Sequence, residues 1–139
     1  MKNKIESELK RIAAENEGLL MPEIVVNSAR PESSPLHSRF EWNNGKAAEA
    51  YRIWQARQLI RVVIETLPGA NGTSEVFVSL SSDRKHGGYR VMAEVLSVAK
   101  MREQMLADAL AELELFRDRY KRLRELAAVF AEIRKIKRR

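Results

Sequence analysis

Apolar residues recur along this chain at changing periods, and each period predicts a different kind of element. Over residues 2–16, Ile5, Leu9, Ile12 and Ala13 fall at spacings of four, three and one, which places them on one helical face. Gly18 follows Asn16 and Glu17 and is the expected stop. Pro22 suits a first helical turn, so residues 22–29, with Ile24, Val25, Val26 and Ala29, read as a second short helix that Pro31 ends. The serine- and proline-rich stretch 31–38 is a loop. Phe40 and Trp42 follow in a segment too short to assign. Asn43-Asn44-Gly45 marks a turn, and Asn44 is the expected N-cap of the next helix. From Lys46, the residues Ala47, Ala50, Tyr51, Trp54, Leu59 and Ile60 predict a helix with a broad apolar surface. Arg52, Arg57 and Arg61 lie around its margin. Spacings of three and four make Tyr51 and Trp54, together with Trp42, expected core residues rather than a surface for stacking bases.

The period then shortens. Val62-Val63-Ile64 is β-branched, residues 68–74 form a strong turn cluster, and Glu75-Val76-Phe77-Val78-Ser79-Leu80 resumes with strand formers. Residues 60–67 and 75–81 are expected to form an antiparallel hairpin with a mobile tip. The preceding helix is expected to run straight into its first strand. Residues 81–88 are a second loop, and Tyr89-Arg90-Val91-Met92 reads as a third strand.

After Gly88 neither glycine nor proline appears for 51 residues, and helix formers dominate. Ser97 is the expected N-cap. Leu106, Ala109, Leu113, Phe116, Tyr120, Leu123, Ala127 and Phe130 alternate steps of three and four, as apolar heptad positions do. Leu110, Leu126, Ile133 and Ile136 widen the stripe. One helix over 97–137 would be about 60 Å long, too long for a 95-residue globule to cover. Either the segment folds back near Arg117-Asp118-Arg119, or it pairs with a second copy. The expected fold class is α+β, mainly helical: an N-terminal helix pair, a central helix, a β-hairpin or small antiparallel sheet, and a long C-terminal helical segment with coiled-coil character. Residues 1–96 form the expected globular domain, and 97–139 a long helix or helical hairpin.

Composition narrows the function classes. The 139 residues are one domain's worth, 45% hydrophobic and 32% charged, as a folded chain should be. No apolar run approaches the roughly 20 residues that span a bilayer, and the charged, amphipathic N-terminus does not read as a signal peptide. There is no cysteine, which excludes disulfides, thiolate metal sites and a cysteine nucleophile. The expected location is the cytoplasm. The net charge of +6 is uneven: residues 97–139 hold twelve basic and seven acidic side chains, net +5. Arg134, Lys135, Lys137, Arg138 and Arg139 make the last six residues a basic tail of the kind that attracts polyanions. The same cations would also complement a helix C-terminus.

No residue pattern points to catalysis. His37 and His86 both fall in loops, and no metal-ligand spacing, paired catalytic carboxylates or phosphate-binding glycine motif is present. No cofactor, metal or enzymatic activity is expected. The loop Arg84-Lys85-His86-Gly87-Gly88, with Arg90, sets three permanent cations beside two glycines, which would let side chains and backbone N–H groups both approach phosphates. A solvated turn is the plainer reading of the same residues. The first two helices could begin a helix-turn-helix, with Glu23, Asn27, Ser28 and Arg30 outward, although an acid at the second helix's start suits phosphate poorly.

The pieces Ser34-Pro35-Leu36-His37, Phe40-Glu41-Trp42, Ala47-Ala48, Tyr51-Arg52 and Gln55-Ala56-Arg57-Gln58-Leu59-Ile60-Arg61 resemble a group of small uncharacterised phage and prophage proteins. Phe77-Val78-Ser79-Leu80, Gly88-Tyr89-Arg90 and the closing Leu-rich helix fit the same resemblance, which covers most of the chain. It implies a context, an intracellular accessory or virion protein, and no activity or site residue. Two functions are expected from these features. One is a phage-borne accessory or regulatory protein that oligomerises through Leu106, Leu113, Phe116, Tyr120, Leu123 and Phe130 and binds nucleic acid electrostatically. Its cations would be Arg84, Lys85, Arg90, Arg134, Lys135, Lys137, Arg138 and Arg139. The other is a structural or interaction protein whose heptads bind a copy of itself or a helical partner.

Overall fold

The computed structural model describes residues 2–45, 48–66 and 72–136. The protein is α+β and mainly helical. It divides into two compact units, residues 1–94 and 95–139.

In the first unit, α1 (Lys2–Glu15) and α2 (Pro22–Ala29) form where the apolar spacing places them. Leu9, Ile12, Ala13, Val25, Val26 and Ala29 are all buried. Glu17 takes a left-handed φ of 56°, and the Gly18 N–H donates to the Ala13 carbonyl at 2.7 Å, a bond that closes the end of α1. Between this cap and α2, Leu19 and Leu20 form β1, a strand too short to leave a periodicity in the sequence. Helix α3 (Ala48–Val62) packs on α2 and buries Ala56, Leu59 and Ile60 in the core. Lys46 and Ala47, where that helix was expected to start, lie outside the described residues.

The strands differ in detail from expectation. Residues 60–62 stay helical because Leu59, Ile60 and Val63 continue the buried stripe of α3. The hairpin is β2 (Ile64–Thr66) with β3 (Thr73–Glu75), and Ile64 faces Glu75. Of its expected tip, residues 68–74, residues 68–71 lie outside the described residues, and Thr73 and Ser74 belong to β3. The expected second strand is broken at Val76. Beyond it β4 (Phe77–Val78) joins a different sheet, ordered β1, β5 (Tyr89–Val91), β4 and wholly antiparallel. Val76 links the two sheets: its N–H donates to the Val63 carbonyl at 3.2 Å, and its carbonyl accepts from Met92 at 2.7 Å. A short helix, α4 (Ser81–Arg84), opens the segment expected to be a loop.

The loop entering α3 is held by a buried arginine. Arg52, only 3% exposed, donates to the Glu41 carbonyl at 2.8 Å, the Asn44 Oδ1 at 2.8 Å and the Glu49 carboxylate at 3.1 Å. Its guanidinium lies 5.1 Å from the Trp42 ring centre. Asn44, expected as an N-cap, thus spends its side-chain oxygen on Arg52, and Arg52, expected at a margin, is interior. Trp42 donates to the His37 carbonyl at 2.7 Å and stacks on the His37 ring at 5.0 Å. The His37 Nδ1–H donates to the Ala29 carbonyl at 2.8 Å, so this histidine is a structural tie between α2 and the loop.

In the second unit, α5 (Met92–Ser97), which starts in the first unit, ends here, and Val98, not Ser97, takes the extended backbone before α6 (Ala99–Tyr120). The heptad stripe does not continue in one helix. Residues 121–126 turn, and α7 (Ala127–Arg134) returns Phe130 to within 6.3 Å of Phe116, ring centre to ring centre. The helix breaks after Tyr120, three residues beyond Arg117 and close to where a fold-back was expected.

Replacing Arg52 by Ala would strand the carbonyls it caps and cost about 2 kcal/mol, a drop of roughly 7 °C in Tm by calorimetry. The Glu49 carboxyl is held below its usual range, first by the hydrogen bond from Arg30 and further by Arg52. A carboxyl with a lowered folded pKa adds stability above its unfolded value, near 4.5, and loses it as pH falls through the folded value. Glu49→Gln should therefore flatten the stability profile from about pH 5 downward in urea titrations.

Candidate functional site

The outer face of α3 decides where chemistry can occur in the first unit. With its core side committed to Ala56, Leu59 and Ile60, the helix turns Tyr51, Trp54, Arg57 and Arg61 to solvent. Tyr51 and Trp54 are 49% and 52% exposed, so the expectation that both are core residues is wrong. The helical period was right, but it counted Tyr51 and Trp54 into the same face as Leu59 and Ile60. At 100° per residue Trp54 lies about 140° from Leu59 and 120° from Ile60. The two exposed rings stack on each other, with centroids 5.8 Å apart and planes 15° from parallel. Trp42, half-buried against the core, does not join them.

Farther along the same face, Arg57 and Arg61 line a cleft of about 510 Å³ with Arg84 from α4. Phe77 and Val78 of β4, Ser79, Gly87 and Tyr89 of β5 complete its walls, and Glu75 is its one carboxylate. Three guanidiniums and one carboxylate therefore line the cleft. Neither Arg57 nor Arg61 forms an ion pair among the described residues. Gly87 has a φ of +73°, and the place a Cβ would occupy is 3.5 Å from the Arg57 guanidinium. Gly88 is tighter still: a Cβ there would stand 2.7 Å from the Leu19 side chain. The glycines thus let the 81–88 segment close against β1 and bring Arg84 toward α3.

The expected phosphate-binding loop is only partly assembled. Arg84 faces the cleft and Lys85 is exposed. Arg90 instead makes a two-point bond to Asp83, at 2.7 and 3.1 Å, with the Asp83 side chain only 8% exposed. That bond ties β5 to α4, so Arg90 is a structural residue of the site. The glycine N–H groups are also spent: Gly87 donates to the Arg84 carbonyl and Gly88 to the Asp83 carbonyl, at 3.0 and 3.1 Å. Side chains, not the backbone, are what this surface offers an anion. On α2, Arg30 is bound by Asn27 and by both oxygens of Glu49, so the one arginine expected on its outer face is already taken up. Arg11 is likewise neutralised by Glu8 and Glu15, and its bond holds the Glu8 carboxyl below its ordinary range.

In the second unit Leu106, Leu113, Phe116, Tyr120 and Leu123 are between 36% and 47% exposed. Phe130 is 5% exposed, with its ring centre 6.3 Å from that of Phe116. Arg134 is exposed, Lys135 pairs with Glu132 at 2.9 Å, and Lys137, Arg138 and Arg139 lie outside the described residues. Among the described residues no group of three or more His, Asp or Glu is placed to hold a metal ion, and no helix is long and apolar enough to cross a membrane. No family model, curated protein or solved structure matches the chain.

Arg57 and Arg61 escaped the sequence reading because only the tertiary fold sets them beside Arg84. The usable signal was the row Tyr51, Trp54, Gln58 and Arg61, spaced three, four and three, opposite Ala56 and Ile60. The division of roles has a direct consequence. Arg90→Ala leaves Asp83 buried and unpaired and should cost about 2–4 kcal/mol in urea denaturation. Lys85→Ala, at an exposed position on the same segment, should stay within about 0.5 kcal/mol of the parent.

Proposed function

We propose that this protein binds nucleic acid through the arginine cleft of its first unit and self-associates through its second unit, as a phage-borne accessory or regulatory protein acting in the host cytoplasm. The observation that carries the nucleic-acid reading is the convergence of Arg57, Arg61 and Arg84 on one open cleft with a single carboxylate. Guanidiniums present a planar fork of donors matched to phosphate oxygens. Arg57 and Arg61, which form no ion pair among the described residues, are the cations able to exchange counterions for phosphates. The basic C-terminus adds a long-range attraction of the same sign. Nothing in the cleft supplies a nucleophile with an adjacent base, so the reading is binding, not turnover.

The test is a salt titration of duplex and single-stranded DNA binding. Replacing Arg57, Arg61 and Arg84 together with Ala should weaken binding and flatten the log-log salt slope by about 0.7–0.9 for each phosphate that is no longer neutralised. Sequence preference should change little, because cations on phosphates carry no base information. Absence of binding to either form near 50 mM salt refutes the reading.

Self-association rests on the exposed apolar side chains of α6 and the turn after it, Leu106, Leu113, Phe116, Tyr120 and Leu123. A contiguous apolar surface of this kind on a small protein marks an interaction site. Leu113→Asp would place an unpaired charge in that surface and should shift the light-scattering mass from a dimer or higher to a monomer. A monomeric parent at micromolar concentration contradicts self-association and favours the alternative, a surface for a helical protein partner.

A further inference from the structure

Burial in a core accounts for most tryptophans and tyrosines, but not for Tyr51 and Trp54. Each shows about half its surface to solvent, and each lies flat against the other on a helix whose opposite face is buried. Two large aromatic residues in that position are not held by the core, so their ring faces are available to a ligand. Their neighbours identify it. On α3, Tyr51, Trp54, Gln58 and Arg61 fall within an arc of about 80° at 100° per residue, and Arg57 borders that arc. At 1.5 Å per residue, Arg57 and Arg61 sit about 4.5 and 10.5 Å along the helix axis from Trp54. The aromatic end of the face therefore runs directly into the cationic cleft.

We infer that the outer face of α3 is a binding surface for single-stranded nucleic acid, with unpaired bases stacking on the Tyr51–Trp54 pair and the adjoining phosphates held by Arg57 and Arg61. This rests on the polyanion reading of the cleft and specifies its ligand. An electropositive groove beside stacking aromatics is the general solution for holding a single strand without reading its sequence, because every base has a flat π-face. A duplex cannot use the rings, since its bases are already stacked inside the helix. Tyr, Trp and Arg also serve at protein interfaces; the cationic cleft running on from the rings is what favours a strand, and a contact between copies is an outcome of the test. The Tyr51–Trp54 rings are stacked on each other, so a base extends the pile from an open ring face and need not prise the pair apart. From Tyr51 to Arg61 the helix rises about 15 Å, the length of roughly four nucleotides at 3.4 Å each.

The test uses the full chain near 50 mM salt with two probes, a thymidine oligomer of about 20 nucleotides and a duplex of about 20 base pairs. The parent should bind the oligomer more tightly, with quenching of tryptophan fluorescence. Trp54→Leu and Tyr51→Leu, which keep apolar bulk at exposed positions and should not disturb folding, are each expected to weaken oligomer binding about tenfold. Trp54→Phe should restore most of that loss, and duplex binding should stay within about twofold throughout. The triple arginine variant should weaken both probes. If the parent binds both probes equally and the leucine variants leave the oligomer affinity unchanged, the inference fails while the polyanion reading stands. If the parent binds neither probe, both fail. If the leucine variants leave nucleic-acid binding intact but lower the light-scattering mass, the face is a contact between copies and the inference is overturned. Circular dichroism of each variant identifies any loss due to unfolding, in which case Trp54→Phe and Tyr51→Phe, with expected losses under threefold, decide the matter against Tyr51→Ser.

Discussion

Packing of one side of α3 against α2 is the interaction on which the rest of the first unit depends. Leu59 and Ile60 are almost fully removed from water, and together they contribute about 3–6 kcal/mol from burial alone. Ala56, on the same side, has too small a side chain to hold the helices apart. Once that side is committed, everything at the opposite azimuth of α3 must face solvent, including two aromatic rings and two arginines. Arg52 occupies the edge between the two environments. It is admitted to the interior because backbone carbonyls, Asn44 and Glu49 take up its donors while Trp42 covers its plane. The entry loop, the helix and the exposed face are consequently set by one packing decision.

The cleft is completed by a second constraint, the buried Asp83–Arg90 pair. A carboxylate with this little exposure is tolerated only with a partner that satisfies both oxygens, and the Arg90 fork does so. The pair pins α4 to β5, and the close approach of Gly88 to Leu19 seats the same segment on β1. Arg84 is thereby delivered to the α3 arginines from a different part of the chain. Arg90 is spent on structure, while Arg84 lines the cleft.

The helices α1 and α2 were legible because each has a clean apolar stripe and an unambiguous punctuation, at Gly18 and at Pro22. The strands were less so. A two-residue strand such as β1 has no period to read, and Val76 belongs to a run of strand formers although it is the point where the chain changes sheets. Ile60 looked like a strand residue beside Val62 and Val63 because β-branched side chains suit either element, and packing on α2 decided for the helix. In α6 and α7 the heptad steps persist through Leu123, yet the chain turns there and brings the Phe130 ring to that of Phe116, a break that apolar spacing alone does not mark. At the site, the cations Arg84 and Lys85 were legible as charges near glycines. The pairing of Arg90 was not, because Asp83 lies seven residues away and only the β5–α4 geometry brings the two together.

The central claim is that the exposed face of α3, not the C-terminal unit, holds the nucleic-acid strand. Ultraviolet cross-linking of the thymidine oligomer to the full chain, followed by mass spectrometry of the peptides, tests this most directly because it reports the residues that touch bases. The account predicts adducts on the peptides that contain Tyr51 and Trp54, with any second adduct at Tyr89 on the wall of the cleft. Adducts confined to residues 95–139, with none on α3, would contradict it.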